Sequence, residues 1–146
     1  MSVNYDEFEN DLAKVEFNYI PKYDCTLIKI RVKGVSIDEN LDNFLIYMDN
    51  LIHYCVELYE KNNSFHIYLY FDLCNGKITS SYAMAPKLSS FFFERETLTE
   101  KFVSATFILC PFLLIRITIQ GILKFKTLTN PIHFISKFEE TKKFIK

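Results

Sequence analysis

Three histidines, four cysteines and the serine pair Ser80-Ser81 are the side chains of this 146-residue sequence whose chemistry could exceed packing. Imidazoles serve acid–base catalysis or metal ligation, thiolates are nucleophiles, and hydroxyls at a helix start hold or accept phosphate. Spacing decides among these. His53, His66 and His133 fall on three different predicted elements, and nothing in their separation requires them to converge. Cys25, Cys55, Cys74 and Cys110 are scattered, with no C-x-x-C pair and no histidine at zinc-ligand spacing. They read as small core residues of a reducing, cytoplasmic compartment rather than as disulfides. Cys110 precedes Pro111 at a predicted helix start, where a thiolate is favoured. Its apolar neighbours at 107–114 disfavour the anion, so it reads as a buried structural thiol.

Asp38, Glu39 and Asp42 gather at another helix start. A cation could use them, but their interaction with the positive helix end accounts for them more simply. None of the G-x-G-x-x-G, P-loop or G-x-S-x-G patterns occurs around Gly34, Gly76 and Gly121, so phosphate-cradling loops and nucleophile elbows are excluded. No catalytic residue, metal site or cofactor is expected.

The junction 72–84 is the remaining site. In parallel sheets, ligands meet the carboxyl ends of strands and the helix starts that follow. Asp72, Thr79, Ser80 and Ser81 lie there, able to take a phosphate, an anion or a partner; plain N-capping uses the same serines. Tyr82, Met84, Phe91 and Phe92 on the following helix are candidate interface residues, because adaptable and aromatic side chains dominate interfaces. Phe91, Phe92 and Phe93 cannot all face one core.

The elements that position these residues follow from periodicity. Segments 14–20 and 26–32 read as a strand pair joined by a turn; in the second, Ile28, Ile30 and Val32 alternate with Lys29 and Arg31, leaving one face wet. Ser36 and Glu39 form a capping box. Behind it, Leu41, Phe44, Leu45, Met48, Leu51, Ile52, Cys55, Leu58 and Tyr59 recur at three and four, the spacing of a long amphipathic helix. Segment 64–71 is bulky on both faces, as a strand covered on both sides is. A second helix runs from the serine pair to about Phe93, with Pro86 tolerated within its first turns. Residues 94–101 are polar and loop. Segment 102–110 is a strand, 111–125 a helix, 131–135 a strand, and a closing helix begins at Ser136.

The apolar run 102–125 is near the length of a membrane span, but Arg116 costs about 2.5–3.5 kcal/mol at mid-bilayer. A buried strand followed by a core-packed helix explains the change of period at Pro111 better. The predicted fold is therefore α/β: a single four- to five-stranded, mostly parallel sheet with an antiparallel N-terminal strand pair, flanked by about four helices. Residues 1–12 read as a flexible lead-in and 13–146 as one domain. Seventeen basic against eighteen acidic residues leave no excess charge for a phosphate backbone, so no nucleic-acid partner is expected.

The order of elements resembles the STAS domain of anti-sigma-factor antagonists and its relatives in the CRAL-TRIO lipid-binding superfold. Two segments carry the likeness. Residues 71–81 (Phe-Asp-Leu-Cys-Asn-Gly-Lys-Ile-Thr-Ser-Ser) resemble the family's strand-end pattern of Asp-Leu-Ser followed by Asp-Ser-Ser-Gly. Residues 130–141 resemble its closing strand and polar-capped helix. Thr79 replaces the family's Asp, Tyr82 its Gly, and the loop is one residue shorter. The resemblance implies a non-catalytic regulatory or scaffolding module that binds a protein partner or a small apolar or anionic ligand, with Ser80 as the phosphate acceptor. The alternatives are a lipid- or membrane-surface-binding module, drawn from the superfold and the apolar segment 107–122, and a self-assembling subunit of a larger structure. Richness in Ile, Phe, Lys, Asn and Tyr fits an AT-rich, viral or parasitic genome.

Overall fold

The computed structural model describes residues 9–77, 84–110 and 130–145, together with residues 113, 116, 117 and 120. Five strands form one sheet in the order β1-β2-β3-β4-β5: Ala13–Ile20, Cys25–Val32, Ile67–Asp72, Val103–Leu109 and Ile132–Ile135. β1 and β2 are antiparallel, while β2–β3, β3–β4 and β4–β5 are parallel. The predicted class and strand pairing are those observed. Between β1 and β2 lies a short 3₁₀ turn, Pro21–Tyr23, that ends on Asp24 at φ 48°, a left-handed conformation that Asp tolerates better than most residues.

Helix α1 (Leu41–Lys61) links β2 to β3, and α2 (Met84–Glu94) with the short α3 (Glu96–Thr99) link β3 to β4. Leu113, Arg116, Ile117 and Gln120 are helical between β4 and β5. Parallel neighbours that follow chain order require each connection to cross back over the sheet. The described helices that connect parallel strands return over the same face. Leu41, Phe44, Leu51 and Cys55 of α1 and Phe91 of α2 pack with Val15, Ile28, Ile30 and Ile108 of the sheet in one cluster. Arg116 lies over the ring of Phe134, which projects to that same side.

The second face carries Cys25 and Leu27 of β2, Tyr68 and Tyr70 of β3, Ala105 and Phe107 of β4, and Ile135 of β5. Among the described residues, its main cover is a 3₁₀ helix, Phe138–Lys143, and the Phe144-Ile145 that follow. The expected α-helix at this end is thus a 3₁₀ strap. Phe138 meets Tyr70 edge-on at 5.2 Å, and Phe144 lies 5.9 Å from Phe107 and 3.9 Å from His133. Glu140 accepts bonds from the Ser136 hydroxyl (2.6 Å) and amide (3.3 Å), which close the turn into the strap and hold its carboxyl below the ordinary range.

Other differences have local causes. The expected strand at 64–71 starts only at Ile67, because Asn62 Oδ1 accepts the Ser64 amide and hydroxyl and holds that stretch in a turn. The loop expected at 94–101 contains α3. The capping box forms in half: Ser36 Oγ accepts the Glu39 amide at 3.3 Å but donates to Asp38, and α1 begins later, after Asn40. Lys33, just after β2, donates its amide to the Leu12 carbonyl and pairs with Glu9.

Gly76 sits where two connections cross. A Cβ there would meet Ile37 Cδ1 at 2.5 Å, Ile37 Cγ1 at 3.0 Å and Val32 Cγ1 at 3.1 Å, whereas at Gly34 the nearest atom is the Asn75 carbonyl oxygen at 3.9 Å. Because Ile37 and Val32 are buried, Gly76→Ala is expected to destabilise by about 1–3 kcal/mol, as overpacking does. Gly34→Ala should stay within about 0.5 kcal/mol, as surface changes do. Urea denaturation of both variants checks the contrast; equal effects would refute the crossing as a tight point.

Candidate functional site

Sequence reasoning places the site after β3, and there the described residues that follow β2 and β3 bond to each other. Ser36 and Lys77 form a parallel bridge, the Ile37 amide donates to the Lys77 carbonyl (2.7 Å), and the Lys77 amide donates to the Val35 carbonyl (2.9 Å). Strands in chain order also have no reversal point, and it is the reversal that opens a ligand crevice in other sheets of this class. Asp72 ends β3, where it pairs with Arg31 at 3.7 Å and accepts the Cys74 amide at 3.0 Å, an Asx turn that fixes the chain's exit. Thr79, Ser80, Ser81 and Tyr82 lie outside the described residues, as does the side chain of Met84.

Cys74 corrects the expectation of four core thiols: Cys25, Cys55 and Cys110 are buried, but Cys74 is exposed. Burial of its sulfur and the Asp72 carboxylate nevertheless push its thiol up to about 11. It therefore stays protonated at neutral pH, the opposite of a reactive cysteine. The acidic trio at the start of α1 is dispersed: Asp38 takes the Ser36 hydroxyl and Asp42 pairs with Lys87. Among the described residues, no group of three His, Cys, Asp or Glu side chains could hold a metal ion.

The histidines lie apart. His53 is on the outer side of α1, its Nδ1–H donating to the Asp49 carbonyl at 2.8 Å. His66 precedes β3 and bonds Ser64 at 3.1 Å, about 20 Å along the strand from Asp72 at about 3.3 Å per residue. His133 shares a sheet face with Asp72, but two strand spacings and two residues separate them, about 12 Å. Neither imidazole reaches that carboxylate.

What the structure does bring together is a groove between α1 and α2. It encloses about 470 Å³ and is lined on one wall by Asp42, Leu45, Ile46 and Asp49, on the other by residues from Pro86 to Arg95. Two ion pairs span it. Lys87 Nζ meets Asp42 at 2.9 Å with both side chains at least half exposed, so solvent screens the pair and it holds weakly. Arg95 is firmer: its Nε–H donates to Asp49 at 2.8 Å, its Nη1–H to the Phe91 carbonyl at 3.3 Å, and its guanidinium lies 3.9 Å over the Phe91 ring. Ile46, on the Asp42–Asp49 side, is 61% exposed.

The aromatic interface candidates divide. Phe91 is buried at 4% exposure and forms part of the groove wall, while Phe92 and Phe93 are half-buried. Of the groove residues, Ile46, Asp49, Lys87 and Arg95 escaped sequence reasoning, and Asp42 entered it only as part of an acidic cluster at the helix start. The available signal was Ile46, an apolar residue on the stripe 42-46-49 that is otherwise acidic.

Among the described residues, no helix is long and apolar enough to cross a membrane. β4 takes up Val103–Leu109 of the apolar run. No family model, curated protein or solved structure matches the chain.

His133 gives the second face a pH dependence. Its ring stacks on Phe144 at 3.9 Å and lies 5.7 Å from Phe107, and burial holds its basicity below the ordinary 6.5. The unfolded chain therefore binds this proton more readily than the folded one, so its stabilising contribution is complete above about pH 6.5 and falls as pH drops below that value. Urea melts at pH 7.5 and 5.5 are expected to show a loss that His133→Phe, which keeps the stack, reduces. An undiminished loss in the variant would assign it elsewhere.

Proposed function

We propose that this chain is a non-catalytic, STAS-like binding module whose α1–α2 groove receives a protein partner. The observation that carries the reading is the pairing of an exposed apolar residue, Ile46, with a weak, opening ion pair, Lys87–Asp42, across a cleft braced by Arg95. A partner segment that buries Ile46 gains apolar contact, and its own charges can replace the Lys87–Asp42 pair at little cost. The firm Arg95–Asp49 pair keeps the walls in place meanwhile. The strand order, the antiparallel N-terminal pair and the one-sided helices support the STAS likeness. In this reading Ser80, preceding α2, is where a phosphate would act on one wall of the groove.

Panning a random peptide display library against the immobilised full chain tests the proposal. Enriched peptides should bind the wild type at micromolar Kd and lose at least tenfold on Ile46→Glu with Lys87→Glu, at unchanged thermal stability. Peptides that bind both proteins equally would place the docking surface elsewhere.

A second reading, attachment to a lipid surface, is favoured by Leu113 and Ile117, which are 69% and 53% exposed one helical turn apart. Flotation with neutral and anionic phospholipid vesicles should recover the wild type and lose Leu113→Asp with Ile117→Asp. Absence of the wild type from both floating fractions would remove it.

A further inference from the structure

We propose that the second face of the sheet is itself a peptide-docking site, and that the C-terminal strap is its intramolecular occupant. The pattern that fits the seat is the strap's own: two phenylalanines six residues apart, Phe138 and Phe144, the second followed by Ile145. The seat is visible because the strap fills it. Phe138 lies edge-on to Tyr70 with Lys29 Nζ 4.1 Å over its ring, Phe144 stacks on His133 against Phe107, and Ile145 is buried beside them.

Three features make the occupant exchangeable. The strap's backbone bonds run within itself, from Glu140 to Lys137 and from Phe144 and Ile145 to Thr141, and Thr141 Oγ1 donates to the Phe138 carbonyl at 2.8 Å. Its departure breaks no bond of the sheet ladder. A 3₁₀ helix of six residues is too short to persist alone, so the strap owes its order to the aromatic seat. The link to β5 is Ser136-Lys137, with Lys137 extended at φ −154°, so one short joint swings the whole strap. Its cover is also incomplete, since Phe144 keeps 37% of its surface exposed.

A tethered occupant competes at an effective concentration of about millimolar, so an external peptide binds poorly until the tether's anchors are removed. The test is a fluorescent peptide of residues 137–146 titrated into the full chain and into the full-length variant carrying Phe138→Ala and Phe144→Ala. The variant, with its circular dichroism unchanged, should bind the peptide at least tenfold more tightly than the wild type does. A peptide with both phenylalanines replaced by Ala should bind neither. Equal affinity of wild type and variant overturns the proposal.

Hydrogen exchange on the wild type supplies a second test that does not depend on the variant folding. The amides of Glu140, Phe144 and Ile145 should exchange at least tenfold faster than those of Tyr70 and Phe107. Exchange of both sets at one common rate would mean the strap opens only with the whole domain, and would overturn the proposal as well.

Discussion

The organising constraint of this molecule is that β2, β3, β4 and β5 pair in chain order. Each parallel pair demands a connection that crosses the sheet, and an order without reversal sends every crossing over the same side. One face thus receives α1, α2 and the helical residues after β4, while the other receives none of them. That second face is nonetheless apolar. Phe107 at its centre is fully buried, with Tyr68, His133 and Phe144 each within about 6 Å of its ring centroid. Leaving such a ring in water forfeits about 1.5–3 kcal/mol, which the strap recovers by lying across it.

The same order bears on the carboxyl ends of the strands. A reversal in strand order parts two neighbouring connections and opens a crevice at the carboxyl ends. Here the connections after β2 and β3 run side by side and hydrogen-bond to each other through Val35, Ile37 and Lys77. Gly76 is the residue that permits the approach, since Ile37 and Val32 leave no room for a Cβ. Concavity moves outward instead, to the seam between two crossing helices, where long side chains bridge what the backbones leave open. The two bridges are unequal. Arg95 combines a charge-assisted bond, a carbonyl contact and a ring face in one side chain, whereas Lys87 offers a solvated point charge.

Features that repeat along the sequence were legible there, and features made by distant residues were not. The three-and-four spacing of α1, the alternation in β2 and the bulk on both faces of β3 each state which way a side chain points, and together they fix the class and strand pairing. Tyr68 and Tyr70 announced a second cover for β3 but not its identity, because a 3₁₀ strap and an α-helix share the same short polar start at Ser136. The groove was illegible for a different reason. Asp42 meets Lys87 and Asp49 meets Arg95 across 45 and 46 residues, and no local pattern encodes such a meeting. Asp72 and Cys74 show the converse, a local contact two residues apart that forms a turn.

The groove and the strap lie on opposite sides of one sheet, and this bears on whether they communicate. A sheet with packed faces is about 10 Å from its neighbouring layer on each side, a separation at which perturbations are usually additive. Coupling requires an element with two arrangements that both sites bias. β3 and β4 touch both layers, but their ladder is continuous apart from the register shift between Ile67 and Tyr68. That irregularity lies at the end of β3 away from Asp72 and beneath Phe102, which packs with Tyr59 and Phe65 on the helical side. Arg95 and Phe91 brace the groove directly against the helical core, and the strap's bonds close on themselves. No described element with two arrangements joins the groove to the strap, so changes at Lys87 or Arg95 and changes at Phe138 or Phe144 are expected to add.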